Sequence, residues 1–298
     1  MAYQMSIKEP VEVGGVNIYT GRKNRAVFHP AEEDTGIIFY LRGTRIPASL
    51  ENAHYGFCAI DIERGREKVR LVEHPLSPVY ALGIDNVIID VPDGVCPTTD
   101  NSAKEYFGPL KEAKAPQNAK KKFWRYAKGY EAEVSCKPKP DYLAVRPSEG
   151  FVIDYRAYYP HRVVGEHTFR FEVNEENYEN DIMEAKSPGF VDTPFRKFLF
   201  FLRKNGPLGK FGWHGINEKN YLIISSKDSE NYENPEGFGP KYGEKDFVRH
   251  KILDELGTLA LAGRQFKDTE FRFNMTGHEF DLYALKKLFR ENCFEECE

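Results

Sequence analysis

The segment DFVRHKILDELG, residues 246–257, places a histidine and an aspartate four positions apart. The longer run HKILDELGTLALAG has apolar residues at helical spacing and predicts a helix that ends at Gly263. On such a helix the side chains of His250 and Asp254 lie on one face, one turn apart. Two interpretations are open: an ordinary exposed helical turn, or two ligands of a metal ion whose third ligand lies elsewhere in the chain.

Composition limits the class of protein. The chain has 298 residues, a net charge of −4 and 41% hydrophobic residues. This length fits two domains, and the hydrophobic fraction is sufficient for substantial cores. The charge gives no indication of nucleic acid or a membrane surface as a partner. We therefore expect no nucleic-acid partner, with the basic-aromatic stretch KKKFWRYAK (residues 120–128) as the only feature that favours one.

The hydropathy pattern and the cysteines indicate the compartment. No stretch approaches the roughly 20 apolar residues of a helical membrane span. The first residues lack the apolar core of a signal peptide, and the five cysteines form no CxxC pair and no disulfide framework. We expect reduced thiols, no transmembrane segment, a cytoplasmic location and a monomer.

The chain divides into two strand-rich halves. We predict a first domain over residues 1–120 and a second over residues 121–298, with the lysine-rich stretch 111–122 as the linker. VEHPLSPVYALG (residues 72–83) and VRHKILDELGTLALAG (residues 248–263) share a pattern: a valine and a charged residue, then histidine, then an apolar-periodic segment ending in glycine. This echo indicates two similar α+β domains, each with a histidine at a helix start.

The echo makes His74 the best candidate for the third ligand, because it occupies the position in the first half that His250 occupies in the second. A zinc centre that supports hydrolysis has three protein ligands from His, Asp or Glu and an open position for water. His74, His250 and Asp254 would meet between the domains, where clefts tend to form. Glu73 would then lie beside the metal-bound water and accept its proton. Fe²⁺ is a competitor of Zn²⁺ for two histidines and one carboxylate.

Three segments, in their order and separations, resemble the UDP-3-O-acyl-N-acetylglucosamine deacetylases, the zinc amidases of lipid A biosynthesis. They are VEHPLSPVYALGIDN, DFVRHKILDELG and TGHEFDLYALKKLF, which begin at residues 72, 246 and 276. The similarity covers nearly the whole chain, since GVNIYTGRKNRAVF and VCPTTDNSA match the family's opening strands and a later loop. It implies an α+β fold of two domains of similar topology. Each would be a β-sheet packed on helices, with the helices sandwiched between the sheets and the active site at the domain interface.

The resemblance also implies a reaction and its metal centre. His74, His250 and Asp254 match the zinc ligands, and Glu73 matches the carboxylate that activates the metal-bound water. The implied activity is zinc-dependent hydrolysis of the N-acetyl amide of UDP-3-O-acyl-N-acetylglucosamine, with release of acetate.

Three further positions are carried over from the family. His278 matches the histidine that helps the tetrahedral intermediate collapse, as an electrophile or a proton donor. Lys251 matches a lysine that holds the nucleotide-sugar substrate. Thr193 is assigned to the threonine near the oxyanion, with the alternative that Pro194 takes this position.

Two departures from the family pattern leave alternatives open. Thr258 stands where the family has an aspartate that supports the histidine matched by His278. The acyl-chain passage, residues 204–225 here, differs in length and contains Lys210, Trp213 and His214. The sequence therefore leaves open whether an acyl chain is accepted, and of what length. The alternatives are a deacetylase of another N-acetylated amino sugar and a non-catalytic protein that binds zinc or a sugar nucleotide.

Overall fold

The structure, a computed structural model, describes residues 2–298 except 57, 137, 192, 195–219, 229–231 and 233. The described helices are α1 Glu73–Ala81, α2 Lys104–Ala113, α3 Glu175–Asp181, α4 Asp246–Ala260 and α5 His278–Arg290. The described strands are β1 Tyr3–Ile7, β2 Val11–Val16, β3 Lys23–Pro30, β4 Ile37–Leu41, β5 Thr44–Pro47, β6 Ala53–Tyr55, β7 Ile60–Arg64, β8 Glu67–Arg70, β9 Val87–Asp90, β10 Lys114–Lys120, β11 Phe123–Tyr126, β12 Ala132–Ser135, β13 Tyr142–Pro147, β14 Phe151–Tyr159, β15 Gly165–Glu172, β16 Pro188–Phe190, β17 Leu222–Ile224, β18 Phe266–Lys267, β19 Thr269–Asn274 and β20 Phe294–Cys297.

Two five-stranded sheets share one topology. The first has the order β2-β3-β9-β4-β5 and the second has the order β12-β13-β19-β14-β15. In each sheet the strand that comes last in sequence occupies the centre and pairs in parallel with its neighbour, β4 or β14. The remaining neighbours pair antiparallel. The prediction of two α+β domains of similar topology is confirmed.

Each sheet buries one face against helices. Along β3 the side chains of Asn24, Ala26 and Phe28 are buried, while their neighbours face outward, as the two-residue period of a strand requires. Phe28 meets Tyr106 of α2 edge to face, with ring centroids 5.9 Å apart. In the second half α4 packs on β14 and β15. Helices α1 and α4 also pack against each other, so the two halves meet through their helices.

The stretch 111–122 was predicted as a linker, which implied a loop, but most of it forms regular structure. Its first residues end α2, and residues 114–120 form β10, which pairs antiparallel with β1. Strand β1 has no other partner in the described sheets, and pairing satisfies backbone groups that would otherwise be open. Lys121 is buried and its Nζ lies 3.0 Å from Asp85. Trp124 donates to a backbone carbonyl, so the stretch KKKFWRYAK is partly used inside the fold.

The predicted acyl-chain passage falls largely on residues that are not described. Most of its segment, residues 204–225, with Lys210, Trp213 and His214, lies outside the described part. The described end of that segment forms β17, which pairs in parallel with β16. The domain boundary between residues 120 and 121 stays a prediction. Among the described helices, none is both long and apolar enough to cross a membrane.

Candidate metal centre

The start of α1 places two side chains at the centre of the molecule. Strand β8 ends at Arg70, and Leu71 takes a left-handed conformation (φ 60°) that turns the chain sharply into the helix. Glu73 and His74 are therefore the first two residues of α1, and they are 1% and 3% exposed. Pro75 follows within the first turn, where its missing N–H leaves no helical hydrogen bond unmade.

Helix α4 presents three polar side chains on one face. His250 Nε2 lies 3.4 Å from Asp254 Oδ1, and Lys251 Nζ lies 3.1 Å from Asp254 Oδ2. Residues 250–254 span just over one helical turn, so the helical repeat brings Asp254 beside both His250 and Lys251. Burial by itself would raise the pKa of Asp254, but the neighbouring His250, Lys251 and His278 hold it below its usual range. The Asp254 carboxylate is thus available as an anionic ligand.

Gly257 allows α1 and α4 to approach closely. A Cβ at this position would lie 2.2 Å from the carbonyl oxygen of Glu73 and 2.6 Å from its Cα. With α1 and α4 this close, the centroids of the His74 and His250 imidazole rings lie 5.4 Å apart. One ligand atom from each of His74, His250 and Asp254 falls within 4.8 Å of the other two.

The donor set fits a divalent metal ion. His74 Nδ1 is 3.4 Å from the carbonyl oxygen of Ser102, and His250 Nδ1 is 3.0 Å from that of Ala185. A carbonyl that accepts from Nδ1 leaves Nε2 as the metal-binding nitrogen, which is the usual arrangement of metal-bound histidine. Asp254 Oδ1 is buried and has no hydrogen-bond partner among the described residues. These three residues could therefore hold a metal ion.

The carbonyl behind His250 is itself held in place. Asp246, the first residue of α4, is fully buried and accepts from the backbone N–H groups of Tyr242 and Lys186. The second contact fixes the segment that carries Ala185. No side-chain pattern in the sequence identifies Ser102 or Ala185, because each contributes only a backbone carbonyl.

Glu73 is the buried carboxylate beside the ligands. Its Oε2 accepts from the backbone N–H of Ile60 at 3.0 Å. Burial raises the pKa of Glu73 well above its usual range, and the negative charge of Asp254 raises it further. The position predicted for a proton acceptor therefore holds a carboxyl group with high proton affinity.

His278 begins α5 and faces the same centre. Its Nε2 lies 3.6 Å from Asp254 Oδ2, while its Nδ1 has no hydrogen-bond partner among the described residues. Burial, followed by the positive charge of Lys251, lowers the pKa of His278 to about 3. Thr258 does not reach the ring, because its hydroxyl donates to the backbone carbonyl of Asp254, one turn earlier. The imidazole is therefore neutral at physiological pH, without a carboxylate from position 258.

A cavity of about 400 Å³ opens onto His250, Lys251, Asp254 and His278. The rest of its described lining consists of residues that the sequence did not indicate: Tyr55, Cys58, Ser187, Pro188, Phe247, Gly277, Glu279 and Phe280. Phe247, Gly277, Glu279 and Phe280 lie within three residues of His250 or His278. Tyr55, Cys58, Ser187 and Pro188 come from distant segments, which no local pattern could have joined to these histidines. Thr193 is half-buried and is not among the described lining residues, and its role stays a prediction.

Comparison with known proteins decides the family. A family described as UDP-3-O-acyl N-acetylglycosamine deacetylase matches residues 4–290. The chain belongs to the UDP-3-O-acyl N-acetylglycosamine deacetylase family. A relative from Thermodesulfovibrio yellowstonii is 30% identical over 301 residues, which cover 100% of this chain and 96% of the relative. One from Helicobacter hepaticus is 33% identical over 263 residues, covering 87% and 81% respectively. Both are named UDP-3-O-acyl-N-acetylglucosamine deacetylase.

Membership of the deacetylase family confirms the resemblance noted in the sequence. It also confirms that the chain is an enzyme of the hydrolase class, because deacetylation is the hydrolysis of an amide. The His-His-Asp group is consistent with a metal-dependent member of this family.

Proposed function

We propose that the chain hydrolyses the N-acetyl amide of UDP-3-O-acyl-N-acetylglucosamine and releases acetate, as a step of lipid A biosynthesis. The observation that carries this proposal is the cluster of His74, His250 and Asp254, with Glu73 next to His74 in α1 and His278 Nε2 3.6 Å from Asp254, beside a cavity that His250, Asp254 and His278 line. These side chains come from three helices and both halves of the chain. The names of the relatives supply the substrate class.

His74, His250 and Asp254 would hold the metal, which we propose to be Zn²⁺, with Fe²⁺ as a competitor. Such an ion polarises a carbonyl oxygen and lowers the pKa of a bound water towards roughly 7. Two imidazoles and one carboxylate suit this task. The pKa of His74 is lowered to about 4, chiefly by burial and then by His250, so its ring is neutral near pH 7.

Glu73 accepts the proton of the attacking water in this proposal. The Ile60 N–H group binds one carboxyl oxygen and fixes the orientation of the other. A base with a raised pKa keeps the proton after it is transferred, which suits general-base catalysis near neutral pH. The same carboxyl group can then deliver that proton to the departing amine.

His278 and Lys251 act on the charge that develops during the reaction. The neutral His278 ring offers one N–H group to the oxyanion or to the leaving nitrogen. Lys251 lines the same cavity and carries the positive charge expected to hold the acylated UDP-sugar. We propose that Thr193 contributes near the oxyanion. The monomeric state and the cytoplasmic location remain predictions from the sequence.

A single-turnover assay tests the proposal. Metal-loaded protein is mixed with UDP-3-O-acyl-N-acetylglucosamine, acetate release is followed, and metal content is measured on the same sample. We expect Glu73→Gln to keep the metal and to slow acetate release by about 10²–10⁴-fold. The matched control is Glu51→Gln, which removes an exposed carboxylate and should leave the rate unchanged.

Two outcomes would contradict the proposal. Metal-loaded natural protein that releases no acetate from this substrate would reject the substrate, and release from another N-acetylated amino sugar would establish the alternative deacetylase. Natural rates in Glu73→Gln would reject the assigned role of Glu73.

A further inference from the structure

Two short segments carry the carbonyl groups behind the histidines of the metal centre. The Ser102 carbonyl lies 3.4 Å from His74 Nδ1, and the Ala185 carbonyl lies 3.0 Å from His250 Nδ1. We call them the Ser102 segment and the Ala185 segment; they span residues 97–103, before α2, and residues 182–187, after α3. The orientation of both imidazole rings therefore depends on how these two segments are held.

The two segments touch each other, although they belong to different halves of the chain. The backbone N–H of Ala103 donates to the carbonyl of Met183 at 2.9 Å. A single hydrogen bond of this kind leaves much of the relative orientation open, because the directions from which a carbonyl oxygen accepts are broad. A second connection is needed to fix one segment against the other.

Lys186 provides that connection from the Ala185 segment. It is 7% exposed, and its Nζ lies 3.8 Å from Asp100 Oδ2 in the Ser102 segment. The same ammonium group lies 5.5 Å from the centroid of the Phe238 ring. Lysine is seldom buried to this extent without an opposite charge nearby, because an unpaired ammonium is costly to remove from water. The buried position of Lys186 therefore depends on a carboxylate from the other half.

Asp100 carries the connection to Ser102. Its Oδ1 accepts from the Ser102 backbone N–H at 3.2 Å and from the Ser102 hydroxyl at 2.6 Å. Its Oδ2 lies 2.9 Å from Lys104 Nζ, at the start of α2, and faces Lys186. One carboxyl group thus holds the residue whose carbonyl orients His74 and also pairs with Lys186.

The backbone of Lys186 connects to the other histidine. Its N–H donates to Asp246 Oδ2 at 3.3 Å, and Asp246 is the first residue of the helix that carries His250. Ala185 directly precedes Lys186, so a displacement of Lys186 also displaces the carbonyl beside His250. Lys186 therefore contacts α4 through its backbone and the first half of the chain through its side chain.

We propose that Lys186 is a positioning residue that locks the Ser102 segment against the Ala185 segment, so that the His74 and His250 rings stay aligned on one metal ion. This inference rests on the proposed function only through its metal centre. Lys186 is not among the described residues that line the cavity, so it acts through the two segments and not on the substrate.

Lys186→Met tests the proposal, because it removes the ammonium and keeps most of the side-chain volume. Zn²⁺ affinity of the full chain is measured by competition with a chelator, and stability by urea unfolding of the metal-free protein. We expect Zn²⁺ affinity to fall by about ten-fold or more, the usual effect of losing a group that orients metal ligands. Lys186→Arg keeps the positive charge and should recover most of that affinity.

Two other lysines are matched controls. Lys121 is equally buried and its Nζ lies 3.0 Å from Asp85, but it contacts the chain beyond the far end of α1 from His74. Lys121→Met should lower the stability of the metal-free protein without changing Zn²⁺ affinity. Lys104 contacts the same carboxyl group as Lys186 but is half-exposed and lies in the same half as that group. Lys104→Met should change Zn²⁺ affinity by no more than about three-fold, since pairs with an exposed partner contribute little.

Asp100→Asn tests the connection from the other side. The asparagine keeps an acceptor oxygen for Ser102 and loses the charge that pairs with Lys186. Zn²⁺ affinity should fall by a factor similar to that of Lys186→Met. The double variant should lose little more than either single variant, because both substitutions remove the same contact.

The outcomes are distinguishable. Natural Zn²⁺ affinity in Lys186→Met overturns the inference, and so does an equal loss in Lys121→Met, which would reduce the effect to lost stability. If Lys186→Met does not fold, natural affinity in Asp100→Asn overturns the inference, whereas a large loss there with a small one in Lys186→Arg supports it. Metal affinity is measured without substrate, so metal-loaded natural protein that releases no acetate refutes the proposed function and not this inference.

Discussion

Substitution of Gly257 by alanine tests the close approach on which the metal centre depends. The added Cβ would lie 2.2 Å from the Glu73 carbonyl oxygen, whereas an ordinary contact begins at 3.4 Å. Relief of this contact requires α1 and α4 to separate by about 1.2 Å, the difference between the two distances. The obstructing atoms belong to the backbone of α1, so no side-chain rotation can relieve the contact. His74 must move with that backbone.

The expected effect has two parts. Overpacking costs about 1–3 kcal/mol of the free energy of unfolding. The higher helix propensity of alanine offsets about 1 kcal/mol of it. Metal–ligand distances tolerate only about 0.2 Å, so the displacement of His74 should weaken metal affinity by about ten-fold or more.

The assay measures metal affinity by competition with a chelator, and stability by urea unfolding of the metal-free protein. Gly14→Ala is the matched control, since a Cβ at Gly14 meets nothing within 4 Å. It should leave metal affinity unchanged and stabilise the strand by about 0.5–1 kcal/mol. The argument that backbone proximity builds the site would be refuted if Gly257→Ala bound the metal as tightly as the unsubstituted protein and were at least as stable.

The remaining predictions concern the histidines. His250→Ala should lose the metal and all acetate release, whereas His278→Ala should keep the metal and lose about 10²–10⁴-fold in rate; equal metal loss in both would contradict the division of roles. The pKa of His278 is lowered to about 3 in the folded state, against about 6.5 in an unfolded chain. The unfolded chain therefore binds the proton first as the pH falls. The metal-free protein should lose stability relative to His278→Asn as the pH falls from about 6.5 towards 4, in urea unfolding at a series of pH values. No relative loss in that window would mean that His278 is not buried in its neutral form.

The site could be predicted where ligands are local in sequence, and less fully where contacts are remote. His250 and Asp254 share a helix face because of the helical repeat, so their pairing follows from a spacing of four. His74 was placed through the internal echo and the family resemblance. Its meeting with α4 depends on Gly257, whose importance becomes visible only when the Glu73 backbone lies against it.

The surroundings of His278 could not be derived from sequence. Counting residues along α4 identified Thr258 as a missing carboxylate. In the structure the Thr258 hydroxyl donates to the backbone carbonyl of Asp254, and His278 Nε2 lies 3.6 Å from Asp254 Oδ2. The second contact depends on the packing of α4 against α5, which neither helix records in its own spacing.

The sequence by itself determined the family, the α+β class, the two similar halves and the helix that carries His250, Lys251 and Asp254. These properties reside in local periodicity and in motifs, which need no contact between distant residues. Only the tertiary structure decided that residues 114–120 form a strand against β1, and that Ser102 and Ala185 orient the two histidines. It also buried Glu255 and Asp281 in two helices that pack against each other. These features depend on how closely separate elements pack, because a backbone carbonyl or a buried carboxyl group finds its partner only across a contact between elements.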